Sequence, residues 1–250
     1  MIYKAEINGI GVEAYYSEES VKDIFIPLLQ RLSGMYEEKG KRIIVMLAAP
    51  PGAGKSTLVH FLGYLSERTE GVRPILPVGM DGFHHYQDYL DTHTMMREGK
   101  AHLMKEFKGA PETFDLPKLT EKIKQISEGE DCGWPEYYRI AHNPIEDAIR
   151  IQGEIILIEG NYLLLDLDGW SELREYADYT IKIMADEALL KNRLVDRKAL
   201  SGISREEAEA FVENSDLYNV RTCLKHTMDD TDLTLELMED DSLTAVEDRL

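Results

Sequence analysis

Apolar residues along the chain change period repeatedly, and the changes outline alternating strands and helices. Residues 2–7 and 10–16 read as strands separated by Asn8-Gly9, a strong two-residue hairpin signal. Val21, Ile24, Phe25, Leu28, Leu29, Leu32 and Met35 then recur at helical spacing, with Pro27 as a potential kink. A continuous apolar run at 43–48 predicts a strand buried on both faces, and 58–65 predicts a helix. Residues 75–80 form a short strand-like segment that delivers Asp81 at its C-terminal end. The stretch 84–111 has no clean period and is expected to be long and irregular. Asp115 caps a predicted helix running to Ser127, with Pro117 near its start. Further strands are expected at 155–158, 180–184 and 233–237. Helices are expected over about 186–200 and 204–225, and an acidic tail at the end.

Strands alternating with helices predict an α/β fold with a doubly wound, mostly parallel sheet. Residues 1–40 stand in front of it as a hairpin-and-helix appendage, and 41–250 form the main domain. Ligands of such sheets bind at the carboxyl ends of the strands. That rule brings three polar sites to one edge: residues 49–57, Asp81 and Glu159.

Residues 49–57 read Ala-Pro-Pro-Gly-Ala-Gly-Lys-Ser-Thr, between a predicted strand and a predicted helix. This is the context of a phosphate-binding P-loop. Small residues let a phosphate approach the free N–H groups of a helix N-terminus. Pro51, Gly52, Ala53, Gly54, Lys55, Ser56 and Thr57 are the candidate nucleotide-binding residues. Lys55 adds full positive charge at the β- and γ-phosphates, and Ser56 offers a hydroxyl to Mg²⁺. Ala49 stands where the usual pattern has glycine; it fits only if the backbone there has negative φ.

Composition narrows what the nucleotide serves. Of 250 residues, 28 are Lys or Arg and 47 are Asp or Glu, giving a net charge of −19, so nucleic acid and anionic membranes are unsuitable partners. Cys132 and Cys223 form no spacing motif and suit a reducing cytoplasm. The N-terminus lacks signal-peptide character, and no apolar run reaches the ~20 residues of a membrane span. A GTPase reading lacks an Asn-Lys-x-Asp segment.

Phosphoryl transfer needs a phosphate cradle, Mg²⁺, an oriented nucleophile and positive charge on the transferring group. Ser56 and Glu159 are the candidate metal ligands, Glu159 through water. Asp81 is placed to accept a proton from a substrate hydroxyl or to orient it. Arg193 and Arg197, four residues apart, share one helix face and would act from a lid over about 186–206. Their bland alternative is a solvated basic face. His84 and His85 lack a third ligand at metal spacing, which leaves substrate contact or loop packing.

Four segments together resemble the P-loop small-molecule kinases that include uridine kinase, pantothenate kinase and phosphoribulokinase, and within them the bacterial nucleoside/nucleotide kinases, also labelled fructose-transport-system kinases. The segments begin at Pro51 (Pro-Gly-Ala-Gly-Lys-Ser-Thr), Met80 (Met-Asp-Gly-Phe-His), Lys108 (Lys-Gly-Ala-Pro-Glu-Thr-Phe-Asp) and Glu159 (Glu-Gly-Asn-Tyr-Leu-Leu). The resemblance implies an ATP- and Mg²⁺-dependent kinase for a small-molecule hydroxyl, with Asp81 as the catalytic aspartate and Arg193 and Arg197 in the lid. It implies an acceptor pocket from Glu112, Phe114 and Asp115, with Tyr138, Arg139 and His142 shaping it. His84, Tyr86, Asn161 and Tyr162 are the remaining acceptor-side candidates. The stretch 86–107 is longer than the resemblance leads one to expect, and the N-terminal appendage lies outside the common core. A second reading is a nucleotide-binding regulatory protein without small-molecule transfer. A nucleoside monophosphate kinase would want more arginines over 84–115, where Arg97 stands alone. The appendage is also a candidate homodimer contact.

Overall fold

The computed structural model describes residues 1–248 except 8, 98 and 140. Strands β1 (Ile2–Ile7) and β2 (Ile10–Tyr15) pair as an antiparallel hairpin. Gly9 takes φ 78, and Asn8 of the expected turn lies outside the described residues. A short helix α1 (Glu18–Ser20) leads through a π turn, Val21–Phe25, into α2 (Ile26–Lys39). Pro27 therefore falls in the first turn of α2. It stands where the π turn meets α2, and the altered hydrogen-bond step of that turn accommodates its missing N–H.

β3 (Ile43–Ala48) is the centre of the main sheet, and α3 (Lys55–Ser66) follows it. The sheet continues with β4 (Ile75–Gly79), β9 (Ile155–Gly160), β10 (Tyr179–Ala185), β11 (Leu233–Leu237) and β12 (Leu243–Asp248). Its order is β12-β11-β10-β3-β9-β4, with only β12 antiparallel to its neighbour. The segment expected to be an acidic tail is thus an edge strand. Of its described side chains only Leu243 is buried, so no apolar alternation marks it in the sequence.

Alternate residues of β3 explain the two-sided core. Ile43, Val45 and Leu47 pack with Phe25, Leu29, Leu32 and Phe61 on one face. Ile44, Met46 and Ala48 pack with Leu119, Ile123, Trp134 and Tyr162 on the other. Phe25, Leu29 and Leu32 are fully buried, each worth about 1.5–3 kcal/mol of burial, so the segment before β3 shares a core with it.

The stretch expected to be irregular carries short structure. α4 (Gln87–Thr92) is followed by the β5 (Thr94–Arg97) and β6 (Lys100–Leu103) hairpin, and then α5 (Leu116–Ser127). These pieces are too short to reveal a period. A further hairpin, β7 (Gly133–Tyr138) with β8 (Asn143–Arg150), has no clear sequence signal, because Pro135, Pro144 and a register shift interrupt it. α6 (Glu187–Ala199), α7 (Arg205–Phe211), a π turn at Val212–Asp216 and α8 (Leu217–His226) complete the chain. Among the described residues no helix is long and apolar enough to cross a membrane.

Candidate active site

The β3–α3 turn makes the first wall of a cavity of about 460 Å³. Gly52 and Gly54 take φ 88 and 82, a region that costs other residues about 1–2 kcal/mol. A Cβ on Gly52 would lie 3.1 Å from Leu194 Cγ, so the turn is pressed against α6. Ala49 is buried and outside the left-handed region, so alanine there is unstrained. The first-turn N–H groups of α3, which lack intrahelical acceptors, open to the cavity beside Lys55, Ser56 and Thr57.

Ser56 and Glu159 meet across the sheet edge: Ser56 Oγ donates a 2.7 Å hydrogen bond to Glu159 Oε1. Burial pushes the Glu159 carboxyl above its ordinary value and nearby Asp81 adds to this, opposed by Lys55 and the Ser56 hydrogen bond. A divalent cation would relieve the burial of that charge. Among the described residues no three His, Cys, Asp or Glu side chains cluster as metal ligands. A hydroxyl and one carboxylate, with phosphate oxygens and water, is a donor set that suits Mg²⁺.

β4 delivers Asp81 into a 3₁₀ turn, Met80–Phe83. Gly82 is needed there, because a Cβ would come 2.0 Å from the Pro135 carbonyl oxygen. That contact seats β7 on the turn and brings Arg139 to 3.8 Å from Asp81. Burial alone would raise the Asp81 carboxyl, but His84, Lys55, Arg139 and Arg197 together hold it below the usual value. Burial also lowers His84, opposed by the charge of Asp81 and its carbonyl. His84 Nδ1 lies 2.9 Å from the Asp81 carbonyl, which can only accept, so Nδ1 holds the proton and Nε2 is free. The ring lies against Phe114, with centroids 3.9 Å apart.

The sequence-predicted residues divide into two groups. Lys55, Asp81, His84, Phe114, Arg139 and Asn161 line the cavity with Arg193 and Arg197. Arg193 is bound by Asp241 at 2.5 Å, and burial lowers Arg197 while Asp216 opposes it. The others stand back. Asp115 caps α5 through Lys118 N–H, and the Tyr86 hydroxyl donates to Glu146. Glu112 lines a separate groove with Asp166 and Tyr218. Tyr162 is fully buried and donates to the Gly109 carbonyl at 2.6 Å, so it supports the cavity wall from behind. Tyr138 is 37% exposed at the end of β7, outside the cavity lining. His142, at φ 53, contributes its carbonyl to Lys108 Nζ.

Lys108, Asp216 and Asn219 also line the cavity and were not singled out from the sequence. Lys108 lies within the Lys-Gly-Ala-Pro-Glu-Thr-Phe-Asp segment, so a signal for it existed. It joins two loops by donating to Gln87 Oε1 at 2.9 Å and to His142 O at 2.8 Å. The cavity thus gathers Lys55, Lys108, Arg139, Arg193 and Arg197 in a chain of net charge −19. Such local concentration is what lets an acidic protein take a polyanion.

Comparison with known proteins agrees with this geometry. Residues 44–244 match the model of the phosphoribulokinase / uridine kinase family. The chain belongs to that family. It is a phosphotransferase with a hydroxyl acceptor, and family membership implies ATP as the donor. The protein YggC of Escherichia coli (strain K12) is 40% identical over 235 residues, 94% of each chain. A pantothenate kinase of Enterococcus faecalis is 25% identical across 78% of this chain and 67% of its own. A crystal structure titled "putative fructose transport system kinase", from Silicibacter sp. TM1040, superposes with a TM-score of 0.71 at 31% identity, covering 82% of this chain and 98% of that one.

Proposed function

We propose that this family member is an ATP- and Mg²⁺-dependent kinase that moves the γ-phosphoryl group to a hydroxyl of a small metabolite: a nucleoside, a sugar or a pantothenate-like molecule. The observation that carries this reading is the convergence of Lys55, Ser56, Asp81 and Arg139 on one cavity, with Glu159 held behind Ser56 by its hydrogen bond. A site for nucleotide binding alone would not need a carboxylate facing the end of the phosphate cradle.

Lys55 and the α3 N–H groups hold the donor phosphates. Arg193 and Arg197 add charge that stabilises the transferring group. Ser56 and Glu159 are the residues that would hold Mg²⁺, which when bound supplies charge neutralisation on the phosphate oxygens. Asp81 stays ionised and accepts a hydrogen bond from the acceptor hydroxyl. Its low basicity makes alignment its main contribution, with the proton passing to it as the bond to phosphorus forms. His84, anchored on the Asp81 carbonyl, fixes that turn and offers Nε2 to the acceptor. The setting is cytoplasmic, where ATP is supplied.

The test is ADP release from ATP and Mg²⁺ across nucleosides, sugars and pantothenate. Release stimulated by at least one acceptor is expected. ATP binding with no acceptor dependence across the panel would overturn the reading.

A further inference from the structure

The β1–β2 hairpin precedes the part of the chain that matches the family model, yet it reaches the active-site cavity. Its two faces differ. Cross-strand pairing puts Tyr3 opposite Ala14, Ala5 opposite Val12 and Ile7 opposite Ile10, so these six residues form one wholly apolar face. The other face carries Lys4 and Glu13, paired at 2.7 Å.

The base of the apolar face is accounted for by docking. Tyr3 meets Phe61 and Tyr64 of α3 at 5.4 Å each, and Tyr16, just after β2, stacks on Phe61 at 4.2 Å. The tip is different. Ile7, Ile10 and Val12 line the cavity that holds Lys55, Ser56 and Thr57. Ile10 remains 47% exposed, so packing does not explain its apolar side chain. Ile7 also lines a small adjoining cavity with Ser56, His60, Asp81 and Glu159. Those neighbours mark the metal and acceptor end of the site.

We infer that the hairpin tip is an apolar wall over the phosphoryl-transfer centre, and that Ile7, Ile10 and Val12 set the preference for an organic hydroxyl over water. Water is the competitor every kinase faces. In that side reaction a water oxygen bonds to the γ phosphorus. The bond to the β–γ bridging oxygen breaks with its electron pair going to ADP, and the water proton leaves to Asp81 or solvent. The products are ADP and inorganic phosphate. An apolar surface offers that water no hydrogen-bonding partner and leaves the position to the acceptor.

The inference rests on the phosphotransfer reading, and the experiment separates the two. ADP release from ATP and Mg²⁺ without acceptor is measured for the wild type, Ile10→Asn, Ile7→Ala and the conservative Ile10→Leu. Ile10 is exposed enough that its replacement leaves the fold intact, and a melting curve checks Ile7→Ala. Ile10→Asn is expected to raise acceptor-free release at least ~3-fold with KM for ATP within about twofold, while Ile10→Leu behaves as wild type. Unchanged or reduced release overturns the inference, as does no measurable release from any of the proteins. So does a raised KM for ATP at unchanged rate, which would put the tip against the nucleoside. The acceptor panel is run separately on the wild type. Acceptor stimulation without a variant effect removes the wall and keeps the kinase. A variant effect without acceptor stimulation removes the kinase and the preference for a hydroxyl with it, and leaves only a surface that slows ATP hydrolysis.

Discussion

The phosphate cradle on the donor side of the cavity comes from one continuous stretch, 49–57, while the acceptor side is assembled from pieces far apart in sequence. The donor side is held by backbone: two left-handed glycines and a helix N-terminus. The acceptor side is held by side chains. Lys108 ties Gln87 to the His142 carbonyl, Asn143 Oδ1 accepts from Gln87 N–H, and Tyr162 supports Gly109. A backbone site depends on local conformation and tolerates little change. A stitched site can be refitted to a new acceptor by exchanging loops. The difference explains how one phosphate cradle serves a family with different acceptors.

Substitutions can break that comparison, and the largest effect is expected at the donor. Lys55→Met should lower kcat by about 10³-fold or more, the scale of a removed charge on the transferring group. Near-normal turnover would remove the cradle from the mechanism. Asp81→Asn should lower kcat about 10²-fold with ATP affinity nearly intact, because the residue serves the acceptor. A large loss of ATP binding, measured by thermal shift, would mean that the two sides are not separable.

A smaller effect tests the stitching. Tyr162→Phe removes the hydrogen bond to Gly109 and should cost about 1 kcal/mol in denaturant unfolding, raising KM for the acceptor and leaving KM for ATP unchanged. A rise in KM for ATP instead would contradict the division of labour.

The smallest effect concerns Glu159. Its folded carboxyl lies above the ordinary value of 4.5, so the native state holds a proton longer than the unfolded chain does. In the ligand-free protein its contribution to stability therefore grows as pH falls through the raised value. Metal affinity falls over the same interval, because the proton competes. Asp81 runs the other way: its contribution is present above its unfolded value of 3.8 and is lost as pH falls through its lower folded value. Glu159→Gln relieves the buried charge and should raise the ligand-free Tm by roughly 2–4 °C, while shrinking the added stabilisation by ATP and Mg²⁺. A lower ligand-free Tm would mean that the Ser56 contact outweighs the cost of burial.

The same contrast decided what could be read in advance. The apolar run of β3, the small-residue turn and the capped helix α5 are local patterns, and each is where periodicity and capping place it. Asp81 and Glu159 were legible because strand ends of a parallel sheet share one edge. The β7–β8 hairpin was not, because Pro135 and Pro144 argue against strands and the hairpin packs on Gly82, far away in sequence. Asp216 and Asn219 join the cavity through tertiary packing alone, whereas Lys108 lies in a segment that was legible. Tyr162 and Asp115 sit in the expected segments, but their side chains support the backbone. The hairpin tip reaches the site only because Tyr3 and Tyr16 dock on Phe61, a pairing that no local period encodes.

The central claim is transfer of the γ-phosphoryl group to a small organic hydroxyl at Asp81. The most direct measurement follows ATP labelled in its γ-phosphate, incubated with the protein, Mg²⁺ and a panel of nucleosides, sugars and pantothenate. The account predicts label in an organic phosphate ester formed from one acceptor, and little label in that ester with Asp81→Asn. Label recovered only as inorganic phosphate, or left in ATP whatever the acceptor, would contradict it.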